Sequence, residues 1–284
     1  MINNAGQERE KEFHFSDKEF KFISKLVGER TGIVLSDAKR QMVYGRLSRR
    51  LRQLKLTKFS EYCDMLTDGH EGELIEFTNA ITTNLTAFFR ENHHFEYLTE
   101  TVIPQIRRNN AHTKRVRVWS AGCSSGEEPY SIAMCLREAI PESAGWDVKI
   151  LATDLDSNMV KRGSEGIYTA ERVEGLTPSR MKKWVRQGTG ENSDKVRMSS
   201  KLREMITFKE LNLMGDWPIK GPFDFMFCRN VVIYFNKDTQ RILFDRYADL
   251  LAPKAHLFIG HSESLNKVTD RFNLLGKTIY QKVK

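Results

Sequence analysis

No stretch of this sequence approaches the ~18 consecutive apolar residues that a membrane-spanning helix needs. Cysteine is scarce. Cys63, Cys123, Cys135 and Cys228 are scattered without a C-x-x-C pair, which excludes a disulfide framework and a zinc module and leaves a reducing cytoplasm as the expectation. Met1–Lys11 is polar and of mixed charge, without the apolar core of a signal peptide. Internal repeats, low-complexity tracts, the dinucleotide fingerprint G-x-G-x-x-G, a Ser/His/Asp constellation and a metal-ligand cluster are also missing. What remains is an ordinary globular composition, 40% hydrophobic and 29% charged over 284 residues. That is enough for one large domain or two unequal ones.

The formal net charge of +8 is unevenly spread. Residues 36–58 hold Lys39, Arg40, Arg46, Arg49, Arg50, Arg52, Lys55 and Lys58 against the acid Asp37, and the rest is nearly balanced. A positive field so local points to one acidic partner surface.

The first ninety residues carry helical patterns throughout. Ser16-Asp17-Lys18-Glu19 has the form of a capping box, followed by Phe20, Ile23, Leu26 and Val27 at helical spacing and a stop at Gly32. A second helix is expected from Ser36, with Val43, Leu47, Leu51 and Leu54 on one face and Lys39, Arg46, Arg49 and Arg50 on the other. Shorter helices are expected at 59–66 and 73–82. From Lys114 the pattern changes to short β-rich runs at 116–119, 148–152, 223–227 and 256–259, separated by helical stretches at 129–139, 157–163 and 237–251. Such alternation predicts an α/β fold, a doubly wound parallel sheet with helices on both faces. Residues 277–283 fit a closing edge strand. The expected domains are therefore 1–90, helical with a linker, and 91–284. Within the latter, 167–205 is a small inserted β subdomain with a helix over 178–186 and a turn at Gly188-Thr189-Gly190.

The chemistry concentrates at the first strand. Val116 to Ser131 spells strand, glycine loop and helix start, with Gly122 and Gly126 allowing a tight turn and Glu127-Glu128 opening the helix. Two acids at a helix N-terminus would repel a pyrophosphate, so a cationic sulfonium, S-adenosylmethionine, fits better than a nicotinamide dinucleotide. An ordinary strand–helix turn with acids favouring the dipole is the competing account. Asp154, ending the second strand, suits a ribose diol or a helix cap. Phe225 to Phe235 empties into Arg229-Asn230, where a methyl acceptor should sit. The Pro-Pro-aromatic and Pro-Cys elements common in nucleic-acid methyltransferases are missing here, and Cys228 suits a buried small side chain.

Taken together, Asn84-Leu-Thr-Ala-Phe-Phe-Arg90, the 120–131 loop, Phe227-Cys-Arg-Asn-Val-Val-Ile-Tyr-Phe235 and Gly260-His-Ser-Glu263 resemble the CheR chemoreceptor methyltransferase family over about residues 16–283. The resemblance implies a Rossmann-like methyltransferase domain that esterifies receptor glutamates, with S-adenosylhomocysteine as the second product. It implies cofactor contacts from Asn84, Thr86, Arg90, Glu128, Asp154, Asn212, Leu213, Arg229 and Asn230. It also implies receptor docking by the basic helix (Lys39, Arg46, Arg49, Arg50). The insertion resembles the type that grips a receptor C-terminal tail peptide by adding a strand, although Glu191-Asn-Ser-Asp194 is not diagnostic. A stand-alone cytoplasmic enzyme is expected, recruited to membrane-bound receptor arrays, with no resident metal, no nucleic-acid partner and no membrane insertion.

Within this reading Arg90 bonds the cofactor carboxylate or places the acceptor glutamate, against a domain-linking salt bridge. Tyr234 offers its hydroxyl to the acceptor oxygen, against simple packing. His261 is expected to be structural. A nucleic-acid methyltransferase and a catalytically silent cofactor-binding module are the remaining alternatives.

Overall fold

The computed structural model describes residues 12–283; Met1–Lys11, the segment judged to lack a signal peptide, lies outside them. The chain forms two compact units, dividing after Ile81, so Thr82–Arg90 belongs to the second unit rather than to the helical first one.

Among its described residues the first unit contains four α-helices, α1 (Asp17–Thr31), α2 (Arg40–Leu54), α3 (Phe59–Thr67) and α4 (Glu71–Ile81). The expected capping box is present: Glu19 N–H donates to Ser16 Oγ at 3.4 Å, and Ser16 N–H donates to the Glu19 carboxylate at 2.6 Å. Gly32, at φ 75°, ends α1. Helix α2 is preceded by a 3₁₀ turn, Asp37–Lys39, so its α-helical part begins later than Ser36. Its buried stripe is Val43, Tyr44, Leu47, Ser48 and Leu51, packed in one core with Phe20, Ile23, Phe59, Tyr62 and Phe77.

The second unit opens with Thr82–Asn92 in a loop and with α5 (His93–Tyr97), which passes through a π-turn at Leu98–Val102 into α6 (Ile103–Asn109). There follow β1 (Arg115–Ala121), α7 (Glu127–Ala139), β2 (Asp147–Asp154) and α8 (Ser157–Glu165). The insertion holds β3 (Ile167–Thr169), α9 (Ala170–Val173), α10 (Pro178–Trp184), β4 (Val185–Gln187), β5 (Lys195–Met198) and α11 (Ser200–Arg203). The fold closes with β6 (Ile206–Glu210), β7 (Phe223–Cys228), α12 (Lys237–Leu250), β8 (Leu251–Ile259), β9 (Phe272–Gly276) and β10 (Ile279–Lys282).

Seven strands run in the order β6-β2-β1-β7-β8-β10-β9. The first five are parallel, and β10 is antiparallel to both its neighbours. Both faces are covered. Val116, Val118, Phe225, Phe227 and Phe258 enter one core, while Trp119, Ala121, Met226, Cys228, Leu257 and Ile259 enter the other. Strand side chains alternate between faces, so near-continuous apolar runs are what a sheet buried on both sides requires.

Two expectations change. Residues 277–283 do not form the sheet edge, because β10 lies between β8 and β9 and β9 is the border strand. The two are joined by the two-residue turn Lys277-Thr278, both with positive φ, as the twist of a tight hairpin demands. In the insertion, Val185 and Arg186 belong to β4 rather than to the preceding helix, and β3-β5-β4 form a separate antiparallel sheet.

Candidate active site

The neighbouring strands β6, β2, β1 and β7 all end on one side, and the loops leaving them carry the acids, amides and cation singled out above. After β1 the chain turns at Gly122, whose φ is 75° and where an added Cβ would stand 2.3 Å from Val231 Cγ2. Ser124 N–H then donates to Asp154 Oδ2 at 2.7 Å, tying the glycine loop to the end of β2. Asp154 Oδ1 accepts from Asp156 N–H at 3.0 Å. The helix-cap role weighed for Asp154 belongs to Asp156, which accepts from Asn158 and Met159 at the start of α8. Burial pushes Asp154 up to about 6, although these amide hydrogens oppose the shift.

Glu128, in the first turn of α7, is buried. Ser120 Oγ donates to its Oε1 at 2.8 Å, and Arg229 Nη1 lies 3.3 Å from its Oε2. Burial raises the Glu128 pKa, and the Arg229 charge and Ser120 hydroxyl pull it back. Arg229 is itself buried, with Nη2 3.4 Å from Glu91 Oε2 and donating to the Arg90 carbonyl. Burial alone would push Glu91 up, but the His261 hydrogen bond and the Arg229 charge outweigh it and hold Glu91 down at about 2.

The segment before Glu91 is stitched to the same loops. Asn84 Nδ2 donates to Asp156 Oδ2 at 2.7 Å, and the Asn84 carbonyl accepts from Ser124 Oγ at 3.1 Å. Phe89 N–H donates to Ser131 Oγ at 3.0 Å. The Arg90 guanidinium donates to the Leu85 carbonyl at 2.8 Å, within its own loop. The Thr86 carbonyl accepts from Arg172, an insertion residue that also lies 3.8 Å from the buried Glu127. After β6, Leu211 N–H donates to the Asp154 carbonyl at 2.9 Å and so places Asn212 and Leu213 beside β2. Asn212 Oδ1 accepts from Met214 N–H, and the Leu213 carbonyl accepts from Arg246. Asn230 follows β7 with φ 59°. Tyr234 ends a 3₁₀ turn, Val232–Tyr234, and is half-buried, while Val231 and Phe235 pack into the core.

A cavity of about 840 Å³ opens between the insertion sheet and the glycine loop, lined by Ser125, Glu127 and Tyr168 and by Arg186, Lys195 and Arg197. Cys228 is buried against the Tyr247 hydroxyl at 3.3 Å, with its thiol raised by burial well above the usual range, which suits a packing role and not a nucleophile. Glu91, His93 and His94 bring ligand-type atoms within 4.8 Å of one another, but Arg229 and His261 already hold the Glu91 carboxylate.

Comparison with known proteins decides the family. Residues 84–281 match the CheR methyltransferase, SAM binding domain, and residues 18–82 match the CheR methyltransferase, all-alpha domain. The chain belongs to the CheR methyltransferase family. It is 44% identical over 268 residues to the chemotaxis protein methyltransferase of Escherichia coli, covering 93% of this chain and 91% of that one. It is 43% identical over 270 residues to chemotaxis protein methyltransferase 2 of Pseudomonas aeruginosa, with 95% and 94% covered. A probable chemotaxis protein methyltransferase of Rhizobium etli is 41% identical over 252 residues, covering 88% and 94%. This CheR-family chain is therefore a methyltransferase of Rossmann-like fold that uses S-adenosylmethionine.

Within the family frame, several residues were passed over at the level of sequence. Glu91, Asp156 and Arg172 organise the site without belonging to the residues singled out there, and Glu263 stood in a quoted motif without a role. The first two sit beside Arg90 and Asp154, but nothing in composition tells a hydrogen-bond organiser from its neighbour.

In the helical unit, the four basic residues divide. Arg50 forms a two-pronged bond to Glu73, at 2.8 Å and 2.5 Å, and Tyr62 donates to the same carboxylate at 2.7 Å. Arg46 donates to the Ile81 carbonyl. Lys39 and Arg49 are exposed.

Proposed function

We propose that this methyltransferase acts on glutamate side chains of chemotaxis receptors, converting the carboxylate to its methyl ester. The observation that carries the cofactor half of this reading is the charge around Arg229. Glu91 and Glu128 share one buried cation, and the buried Asp154 is held by the backbone N–H groups of Ser124 and Asp156, leaving an excess of negative charge that suits a sulfonium compound and not a phosphate. When bound, S-adenosylmethionine supplies a methyl group activated by positively charged sulfur. Asn84, Thr86, Arg90, Glu128, Asp154, Asn212, Leu213, Arg229 and Asn230 are the residues assigned to hold it.

A receptor glutamate ionises near 4.3, so at neutral pH it is already the nucleophile and needs no general base. What remains for the protein is alignment and partial removal of water around an anion. Arg90 and the Tyr234 hydroxyl are assigned to place the acceptor oxygen, and a positive side chain beside it offsets the lost hydration. Names of the curated relatives support the receptor as substrate.

For docking, Lys39 in the turn before α2 and Arg49 on α2 are the exposed two of the four cations singled out above, and they are assigned to an acidic face of the receptor's helical bundle, at the cytoplasmic receptor arrays. The β4 edge of the insertion sheet has Arg186 and Gln187 exposed, which supports strand addition by a receptor tail peptide.

The test is to incubate the protein with methyl-labelled cofactor and receptor membranes, then apply mild alkali. Glutamate methyl esters release volatile labelled methanol. Base-stable label on protein, or label only on added RNA, would refute the assignment.

A further inference from the structure

Strand β8 ends in Gly260-His261-Ser262-Glu263, and neither cofactor binding nor methyl transfer as described above uses Glu263. Its side chain is buried at 5% exposure, where an ionised carboxylate is costly unless its oxygens are satisfied. They are satisfied by backbone alone. Oε1 accepts N–H groups from Val231 at 2.9 Å, Val232 at 2.8 Å and Ile233 at 3.3 Å. Oε2 accepts from Asn230 at 3.0 Å and from Gly260 at 2.5 Å.

Four consecutive amides, 230–233, thus converge on one carboxylate. Such convergence is normally found at a helix N-terminus, yet this turn is a single 3₁₀ turn, too short to keep its shape from internal bonds. The loop also holds Asn230 at φ 59°, a left-handed conformation that most residues with a side chain avoid and that asparagine tolerates. On its other flank, Gly260 lies so close that an added Cβ would stand 2.5 Å from Asn230 Nδ2 and 2.8 Å from its N. The loop between β7 and α12 is therefore fixed by the end of β8, and Glu263 is the charged part of that fixture.

We propose that Glu263 is a positioning residue of the methyl-transfer site, holding Asn230 toward the cofactor and Tyr234 toward the acceptor while touching neither substrate. This rests on the assignments of Asn230 and Tyr234 made above. The chemistry selects a carboxylate, because both oxygens must accept. A glutamine in either orientation would turn an N–H₂ donor onto at least two backbone N–H donors.

The experiment compares Glu263→Gln, Asn230→Ala and the double variant, each assayed well below its own melting temperature. S-adenosylhomocysteine affinity is measured by calorimetry and turnover on receptor membranes. Glu263→Gln is expected to weaken product affinity at least fivefold and to lower turnover at least tenfold. In the double variant, affinity should stay within twofold of Asn230→Ala alone, since the positioned group is already gone. A folded Glu263→Gln protein with wild-type affinity and turnover would overturn the proposal, as would losses that multiply in the double variant. Should Glu263→Gln not fold, Glu263→Asp keeps the charge but retracts it by one methylene, and the same criteria apply. A weakened Asn230→Ala beside an unchanged Glu263→Gln refutes the positioning role alone. Wild-type affinity in Asn230→Ala refutes the cofactor assignment of Asn230 and this proposal with it.

Discussion

Arg49 and Arg50 are adjacent in sequence and differ in their surroundings, Arg49 exposed and Arg50 bonded to Glu73. Arg50 is 20% exposed and its guanidinium is held by Glu73, itself 6% exposed and bonded by Tyr62. Removing it leaves a buried carboxylate unpaired, so Arg50→Ala should cost about 3 kcal/mol of stability in the helical unit, read as a lower urea midpoint. Lost receptor methylation in that variant would report unfolding, and Arg50 is unsuited to test docking. Lys39→Glu with Arg49→Glu should instead leave the midpoint within about 0.5 kcal/mol while slowing receptor methylation at low salt, with the difference shrinking as salt screens the field. Equal rates at low salt would remove α2 as the docking surface.

Asp154 makes a second prediction at this scale. Its pKa is raised by burial from 3.8 to about 6, so ionising it is harder in the fold than in the unfolded chain. That group's contribution to stability is present below about 3.8 and is lost as pH rises through about 6. Cofactor binding should run the opposite way if the ionised form accepts the ribose hydroxyls. S-adenosylhomocysteine affinity should fall as pH drops below about 6, and Asp154→Asn should flatten that dependence at a weaker level. An affinity that is independent of pH between 5 and 7 in the wild type would contradict the ribose assignment.

At the scale of elements, the turn after β1 is the least replaceable. Gly122→Ala would place a methyl 2.3 Å from Val231 in a left-handed backbone, so either the glycine loop or the acceptor loop must move. Calorimetry on that variant should show product affinity reduced at least tenfold; an unchanged value would mean the two loops are not coupled at this point. The same elements show what sequence could and could not reveal. The parallel strands β1, β2, β7 and β8 and the helices α7, α8 and α12 were legible because each carries an apolar run or a full helical stripe closed by glycine, proline or a polar cap. Strand β9 was not, because Asn273, Leu274 and Leu275 are exposed on a border strand and the run lacks strict alternation. The helix expected over 178–186 ran two residues too far because Val185 and Arg186 continue its apolar and basic pattern, while their ladder with β5 is set by Met198 and Arg197, thirteen and eleven positions away. In the site, Asp154, Glu128 and Arg229 stood out through their motif positions. Asp156, Glu263 and Arg172 did not, since their importance comes from bonds to groups distant in sequence, the Thr82 and Asn84 side chains for Asp156 and backbone groups for the other two.

At the scale of the whole molecule, each unit has its own core, and the insertion reaches the cofactor loops. The Tyr168 hydroxyl donates to the Ser125 carbonyl at 2.7 Å, and Tyr168 meets Phe88 edge-to-face at 5.1 Å. Arg172 bonds the Thr86 carbonyl at 3.0 Å. The insertion is therefore part of the scaffold of the cofactor site as well as a proposed peptide grip, and Arg172→Ala should weaken S-adenosylhomocysteine binding about threefold to tenfold, a loss of roughly one charge-assisted bond. The loops after β1, β2, β6 and β7, together with Thr82–Arg90, are assigned to one pocket for a sulfonium cofactor. Calorimetric titration of the purified full chain with S-adenosylhomocysteine, repeated on Asp154→Ala, tests that assignment. Saturable one-to-one binding that Asp154→Ala weakens at least tenfold is expected; no binding by the wild-type chain up to about 1 mM would contradict it.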